Sequence, residues 1–211
     1  MSTPALPIAR RGVCLVLAAP SGGGKSAIAR RLVASEANLA LSVSMTTRAP
    51  RAGERDGVDY LFREQAAFDA LAAAGGFLEW AHVFDHSYGT PRAPVEAALA
   101  SGRDMVFDID WQGHRSLRAA LPGDVVGVFI LPPSLRVLEE RLRGRGDGEA
   151  ALARRMARAR DEISHWDEFD HVIVNDEFEA AVAAVRAVLH AARSARTRQT
   201  GLQDFVARLG D

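Results

Sequence analysis

The spacing of apolar residues divides the chain into alternating strands and helices. Val13-Cys14-Leu15-Val16-Leu17 and Val125 to Leu131 are continuous apolar runs, the pattern of strands covered on both faces. Ile28, Leu32 and Val33 share one face of a helix from Lys25 to about Ser35. Leu41 to Met45 alternates as a short strand, and Tyr60 to Phe62 reads as another. Glu64 to Ala74 predicts a helix with Phe68 and Leu71 inward, stopped by Gly75-Gly76. Phe77 to Phe84 is an alternating strand in which Glu79 is the odd residue, Asp85 to Pro91 reads as a turn back, and Pro94 to Ala100 as a short helix. Asp104 to Asp110 is a buried strand that ends in two carboxylates, followed by a helix from Gly113 to Leu121. Beyond Pro132-Pro133 come helices from Leu135 to Leu142 and from Glu149 to about Ser164, separated by the glycine patch at 144 to 148. His171 to Val174 is the last strand, and Glu177 to about Ala195 the last long helix.

Apolar strands alternating with helices predict an α/β fold, a parallel sheet flanked by helices with right-handed crossovers. Residues 42 to 97 break this rhythm. Their strands are short and close together, which predicts an inserted, partly antiparallel lobe.

Length and composition narrow the picture. The 211 residues, 48% of them hydrophobic, suffice for one substantial core. The 26 basic and 27 acidic residues leave a net charge of -1, which gives no reason to expect nucleic acid or an anionic membrane as partner. No apolar run approaches a membrane span. The start, MSTPALPIARRG, has no apolar core of a secretion signal. Cys14 is the single cysteine, so no internal disulfide can form and a reducing, cytoplasmic setting is expected. Inside an apolar run, Cys14 reads as a small core residue.

The chemistry gathers around AAPSGGGKS, Ala18 to Ser26, between the first strand and the first helix. Strand, glycine-rich turn and helix are the context of a phosphate-binding loop. Its backbone N–H groups cradle an anion, and the helix N-terminus adds favourable field. Lys25 would reach the outer phosphates and the Ser26 hydroxyl a magnesium ion. The pattern opens on glycine, and Ala19 stands there; a plain glycine-rich turn is the bland alternative.

Three further groups carry candidate chemistry. Asp108 and Asp110 close an apolar strand, where a carboxylate orders magnesium water in P-loop enzymes or caps the next helix. Arg48 and Arg51 share a proline-containing loop, Arg141 and Arg145 lie four apart, and Arg154, Arg155, Arg158 and Arg160 crowd one helix. Guanidinium forks match phosphate oxygens, but a solvated, salt-bridged face would use the same residues. Glu79 could accept two hydrogen bonds from guanine N1–H and its 2-amino group, or simply face outward.

Taken together, APSGGGKS, SVSMTTRAPRAGERDGVDY, FLEWAHVFDHSYGT, DIDWQG, ILPPS, RLRGRG and VIVND resemble bacterial-type guanylate kinases over nearly the whole chain. The resemblance implies a P-loop NTPase fold with a GMP-binding lobe and a helical lid. It divides the chain into a flexible N-terminus, 1–11, a kinase domain, 12–195, and a C-terminal tail, 196–211. Within the domain the core is 12–41, 98–134 and 165–195, the lobe 42–97 and the lid 135–164. The implied reaction is ATP + GMP → ADP + GDP with magnesium, dGMP being a further acceptor. ATP phosphates would lie on Ala19, Pro20, Ser21, Gly22, Gly23, Gly24, Lys25 and Ser26, with Asn175 near adenine. Magnesium would sit by Ser26 and Asp108. Arg48, Arg51, Tyr60 and Tyr88 would hold the GMP phosphate, and Ser44 and Glu79 would read guanine, with Thr90 and Asp110 nearby. Lys25, Arg141, Arg145 and Arg155 would serve catalysis, with Arg154 and Arg158 the alternatives to Arg155.

Two departures stand out. Ala27 replaces a second hydroxyl residue after the loop, and Ser87 stands where a tyrosine often precedes Tyr88. The resemblance leaves two other functions to separate from this one. They are a kinase for another small phosphate acceptor, such as ribose 1,5-bisphosphate kinase, and a non-catalytic interaction module. Ser44, Glu79 and Tyr88 argue against the first, and intact Lys25, Ser26 and the arginines against the second.

Overall fold

The central strand runs through a core that covers it on both faces. In the computed structural model, which describes residues 8–83, 85–144 and 148–210, β1 (Cys14–Ala18) is fully buried. Its residues alternate between two hydrophobic cores. Leu15 and Leu17 pack with Ile28, Leu32, Val182 and Val185 on one side. Cys14, Val16 and Ala18 pack with Leu99, Phe107, Leu117 and Phe129 on the other. That two-sided cover is why the run is apolar at every position. Burial pushes the Cys14 thiol up to about 12, as expected of a core residue that does no chemistry.

In chain order, β1 leads into α1 (Lys25–Ser35) and then β2 (Leu39–Leu41), β3 (Met45–Thr46) and β4 (Leu61–Phe62). After α2 (Gln65–Ala73) come β5 (Phe77–Val83), β6 (His86–Pro91), α3 (Arg92–Ala100) and β7 (Asp104–Asp108). There follow α4 (Trp111–Ala120), β8 (Val125–Leu131), α5 (Leu135–Arg143) and α6 (Glu149–Ile163). The chain closes with β9 (His171–Val174), α7 (Phe178–Ser194) and α8 (Leu202–Ala207). The main sheet has the order β2-β7-β1-β8-β9, and all its pairs are parallel. A second sheet, β4-β3-β6-β5, mixes one parallel pair with two antiparallel ones.

Two expected elements come out differently. The alternating run Leu41 to Met45 is not one strand. Leu41 ends β2 in the main sheet, Met45 begins β3 in the second, and Ser42 to Ser44 cross between them. Alternation records which face is covered and not which sheet supplies the partner. The stretch Asp85 to Pro91 is largely strand, β6, paired with β5 and β3, and its buried Ser87, Gly89 and Thr90 are small or polar, so apolar alternation does not mark it. A Cβ at Gly89 would meet Trp80 Cβ at 2.8 Å, so the close approach of β5 and β6 requires glycine.

The ends of the described chain are tied to the same edge of the core. Arg10 and Arg11 close the stretch expected to be flexible, yet Arg10 grips buried Asp104 with both Nη atoms, at 2.7 and 2.9 Å. Arg11 grips Asp124 at 2.8 and 2.7 Å. In the tail, buried Arg198 donates to the carbonyls of Gly12 and Asp124, both at 3.0 Å.

His114 on α4 is buried, and neither ring nitrogen has a hydrogen-bond partner among the described residues. The ring stacks on Phe169 at 4.0 Å. Burial lowers its pKa and nearby Arg118 adds to this, outweighing Asp170 and Glu168. The unfolded chain therefore takes up this proton at a higher pH than the folded one. Its contribution is complete above the ordinary histidine value, about 6.5, and is lost as the pH falls below it. In urea unfolding at about pH 7.5 and about pH 5.5, we expect the stability gap between the two pH values to shrink in His114→Leu. A gap equal to that of the parent protein would contradict this.

Candidate functional site

The loop after β1 is shaped by its glycines and held from behind. Gly22 and Gly24 have φ of 89° and 99°, a region that side-chain-bearing residues rarely adopt. A Cβ on Gly22 would sit 3.0 Å from Leu138 Cδ1, so α5 packs directly against the loop. A Cβ on Gly24 would lie 2.5 Å from Asn175 Nδ2, and that amide donates to the Gly23 carbonyl at 2.9 Å. Asn175, expected near adenine, thus commits its side-chain N–H to bracing the loop. Gly24 also starts α1, whose first turn has no side-chain cap and no acid. The exposed N–H groups are then available to an anion.

Main-sheet register sets the acids beside this loop. Leu17 of β1 pairs with Asp108 at the end of β7, and Asp108 forms an ion pair with Lys25. Asp110 caps α4 by accepting from the Gly113 N–H at 2.9 Å. The capping role that competed with a functional one is real for Asp110, and its other carboxylate oxygen is left to the cleft it lines.

Three clefts meet at Asp108. One is lined by Ala19, Ser21, Lys25, Asp110, Arg155 and Arg158. A second is lined by Ser44, Tyr60 and Thr90. The third is lined by Ser44, Tyr60, Glu79, Tyr88 and Asp110. Asp108 lines all of them. The outer face of the loop, with Pro20, Gly22, Ser26 and Arg30, forms a further cleft.

Within the lobe, Glu79 sits opposite Thr90, whose hydroxyl donates to its Oε1 at 2.5 Å. Burial raises the Glu79 pKa against the pull of that bond, and Asp110 adds to the rise. The carboxylate is short of solvent and suited to N–H donors from a ligand. Arg48 pairs with Glu54 and lies 5.5 Å from the centre of the Tyr60 ring, which is itself 6.1 Å from that of Tyr88. Burial raises the Tyr60 pKa first, and Tyr88 adds to it. Arg51 is placed by its backbone N–H, which donates to Glu54 at 2.7 Å.

On the α5–α6 side, Arg141 donates to the Asn175 carbonyl at 3.1 Å. Arg145 lies outside the described residues. Arg155 reaches the cleft it shares with Lys25 and Asp108. Sequence reasoning missed two residues in these clefts, Arg30 and Glu162, and a third, Glu54, that pairs with Arg48 in the lobe. Glu162 accepts from the Ser21 N–H at 3.0 Å and from Arg158 at 3.1 Å. The spacing of Arg158 and Glu162 was a visible signal. Their meeting with Ser21 was not.

A parallel sheet with β1 at its centre, a glycine loop at the carboxyl end of that strand and an acid on the neighbouring strand end define the P-loop NTPase fold, here with a separate mixed-sheet lobe. The family model described as guanylate kinase matches residues 11–192. A guanylate kinase of Granulibacter bethesdensis is 57% identical over 210 residues, covering 100% of this chain and 99% of that one. A guanylate kinase of Gluconobacter oxydans is 62% identical over 199 residues, covering 94% and 96%. The crystal structure of guanylate kinase from Anaplasma phagocytophilum matches with a TM-score of 0.74 at 36% identity, covering 93% and 94%. The chain belongs to the guanylate kinase family and is an enzyme, a guanylate kinase. No helix among the described residues is long and apolar enough to cross a membrane.

If Asn175 braces the loop, Asn175→Ala leaves the Gly23 carbonyl without its buried donor. We expect a loss of about 1–3 kcal/mol in urea unfolding. A loss under about 0.5 kcal/mol would mean the brace carries no load.

Proposed function

We propose that the enzyme moves the terminal phosphoryl of ATP onto the phosphate of GMP, with dGMP as a second acceptor, in cytoplasmic purine nucleotide metabolism and GMP recycling. The observation that carries this reading is the junction at Asp108, where the cleft of the phosphate loop meets that of the lobe. A donor on the loop and an acceptor in the lobe would approach each other there.

Guanine is read by Glu79, whose carboxylate accepts N1–H and the 2-amino group, with Ser44, Thr90 and the open oxygen of Asp110 nearby. The acceptor phosphate is held by Arg48, Arg51, Tyr60 and Tyr88. The donor phosphates rest on the loop from Ala19 to Ser26. Residues 12–41, 98–134 and 165–195 act as core, 42–97 as GMP lobe and 135–164 as lid.

An oxygen of the GMP phosphate attacks the terminal phosphorus of ATP. The bond from that phosphorus to the bridging oxygen breaks, and ADP leaves. The attacking oxygen is already anionic, so no general base is needed. Catalysis is positioning and charge neutralisation. Lys25 follows the migrating charge, and Arg141, Arg145 and Arg155 add to it from the lid side. The Ser26 hydroxyl and the Asp108 carboxylate are hard oxygen donors beside the loop and fit magnesium, which keeps most of its waters and when bound neutralises phosphate charge.

Purified enzyme with ATP and a panel of nucleoside monophosphates tests the assignment. We expect GMP to be used far better than AMP or UMP; equal use of AMP would overturn it. Lys25→Ala should lower kcat by roughly 10²–10³, and retention of the parent kcat would refute its role.

The pH dependence follows from Glu79. Ligand N–H groups bind its ionised form, and its pKa in the empty site is raised. Affinity for GMP is therefore steady above that pKa and falls as the pH drops through it. We expect KM for GMP to climb on acidification before an ordinary carboxylate would titrate. Glu79→Gln should flatten that climb and cut the preference for GMP over AMP by roughly 10–100-fold. An unchanged preference would remove Glu79 from base reading.

A further inference from the structure

Glu54 has no part in the reading above, yet its contacts are with the two arginines assigned to the acceptor phosphate. Its Oε1 accepts from Arg48 Nη2 at 2.9 Å and its Oε2 from Arg48 Nη1 at 3.0 Å. The same Oε2 accepts from the Arg51 backbone N–H at 2.7 Å. In return the Glu54 N–H donates to the Arg51 carbonyl at 3.1 Å, which closes the turn. The Arg48 guanidinium holds the Glu54 carboxyl below the usual carboxylate range, so the pair is ionised at neutral pH.

A guanidinium carries five N–H groups. Arg48 Nη1 gives one hydrogen to Glu54 and one to the Ala49 carbonyl at 2.7 Å. Nη2 gives one to Glu54. What remains is Nε–H and the second hydrogen of Nη2. These two point in parallel along one side of the fork, the arrangement that meets two phosphate oxygens at once. Glu54 occupies the end of the fork and leaves that side. The Tyr60 ring lies against the same guanidinium, its centroid 5.5 Å from Arg48 Cζ.

We propose that Glu54 is a positioning residue for the acceptor phosphate. It locks Arg48 with its phosphate-matching side unspent and ties the turn of Arg51 to it. The proposal rests on the reading that Arg48 holds the GMP phosphate. A carboxylate here also cancels one positive charge of the cradle. If Glu54 were a stand-in that the phosphate must evict, its removal would tighten GMP binding. As a lock, its removal loosens it.

The test is steady-state kinetics of Glu54→Gln, which keeps the size, loses the charge and turns an amide N–H toward the Arg48 donors. KM for GMP should rise about tenfold, while kcat and KM for ATP shift less than about threefold. Guanosine lacks the phosphate, so its inhibition constant against GMP should stay within about twofold. In an Arg48→Ala background the Glu54→Gln change should add less than about twofold, because the amide oxygen can still accept from the Arg51 N–H and only the pairing with Arg48 is lost. An unchanged or lower KM for GMP in Glu54→Gln overturns the proposal. An equal loss for GMP and guanosine also overturns it, since the lobe as a whole would then be damaged. Arg48→Ala alone separates the two levels. If it leaves KM for GMP unchanged, the phosphate assignment itself fails. If it raises KM while Glu54→Gln does not, only the role of Glu54 fails.

Discussion

A site for two polyanions must gather positive charge and still hold together when empty. In this chain, donors that would face phosphate are matched by carboxylates of the chain itself. Lys25 pairs with Asp108, Arg48 with Glu54, and the Ser21 N–H with Glu162, which also takes Arg158. Unpaired cations in partly buried clefts would repel one another and lose hydration without return. Carboxylate partners remove that penalty and fix side chains near the positions that substrates need. Binding then exchanges or shares partners. It does not have to order loose side chains, and that preorganisation is where electrostatic catalysis gains most.

The main sheet makes this matching possible. β1 is gripped on both faces, so the loop that leaves it starts from a fixed point. Parallel pairing brings three strand ends to one place: β1 with the loop, β7 with Asp108, and β9 followed by Asn175. Because the ends of parallel strands open on the same side, residues distant in sequence converge without any one segment crossing the site. The amino ends of β7 and β8 carry the ion pairs of Asp104 and Asp124 with Arg10, Arg11 and Arg193. Stability and chemistry are thereby kept at opposite ends of the sheet.

That division explains what could be read from the sequence. Strands covered on both faces show as continuous apolar runs, so β1 and β8 were legible, as was the loop between strand and helix. The lobe was harder. Its sheet has strands as short as two residues, and β6 turns small and polar side chains inward, so hydrophobic alternation has little to report. The break between β2 and β3 was hidden because Ser42 and Ser44 keep the alternation going while the chain changes sheets. Among the cleft residues, those of a type with a strong local signal, Lys25, Asp108, Arg155 and Arg158, were the ones the sequence singled out. Glu54 and Glu162 were missed because a carboxylate among arginines looks the same whether it solvates a surface or braces a cleft. Only the distance to Ser21, 141 residues away in sequence from Glu162, separates the two.

The lobe uses different means for its two tasks. Glu79 follows Leu78, and Leu78 is buried in the same core as β1 and β7. The Glu79 carboxylate, proposed to read the base, is therefore anchored next to that core, and its partner Thr90 is buried. The segment proposed to cradle the acceptor phosphate has no such root. Residues 48 to 60 hold mainly through polar contacts: Glu54 with Arg48 and Arg51, Asp56 with the Phe62 N–H, Asp59 with the Arg55 N–H. Segments held by exposed polar contacts open at lower free energy than segments held by a core. Discrimination between bases depends on where a few N–H groups fall, so it profits from a rigid carboxylate. On the proposed reading, a segment with its own internal braces holds Arg48 and Arg51 in place without leaning on that core. The buried strand would then supply the fixed point for the base, and the polar loop the charge for the phosphate.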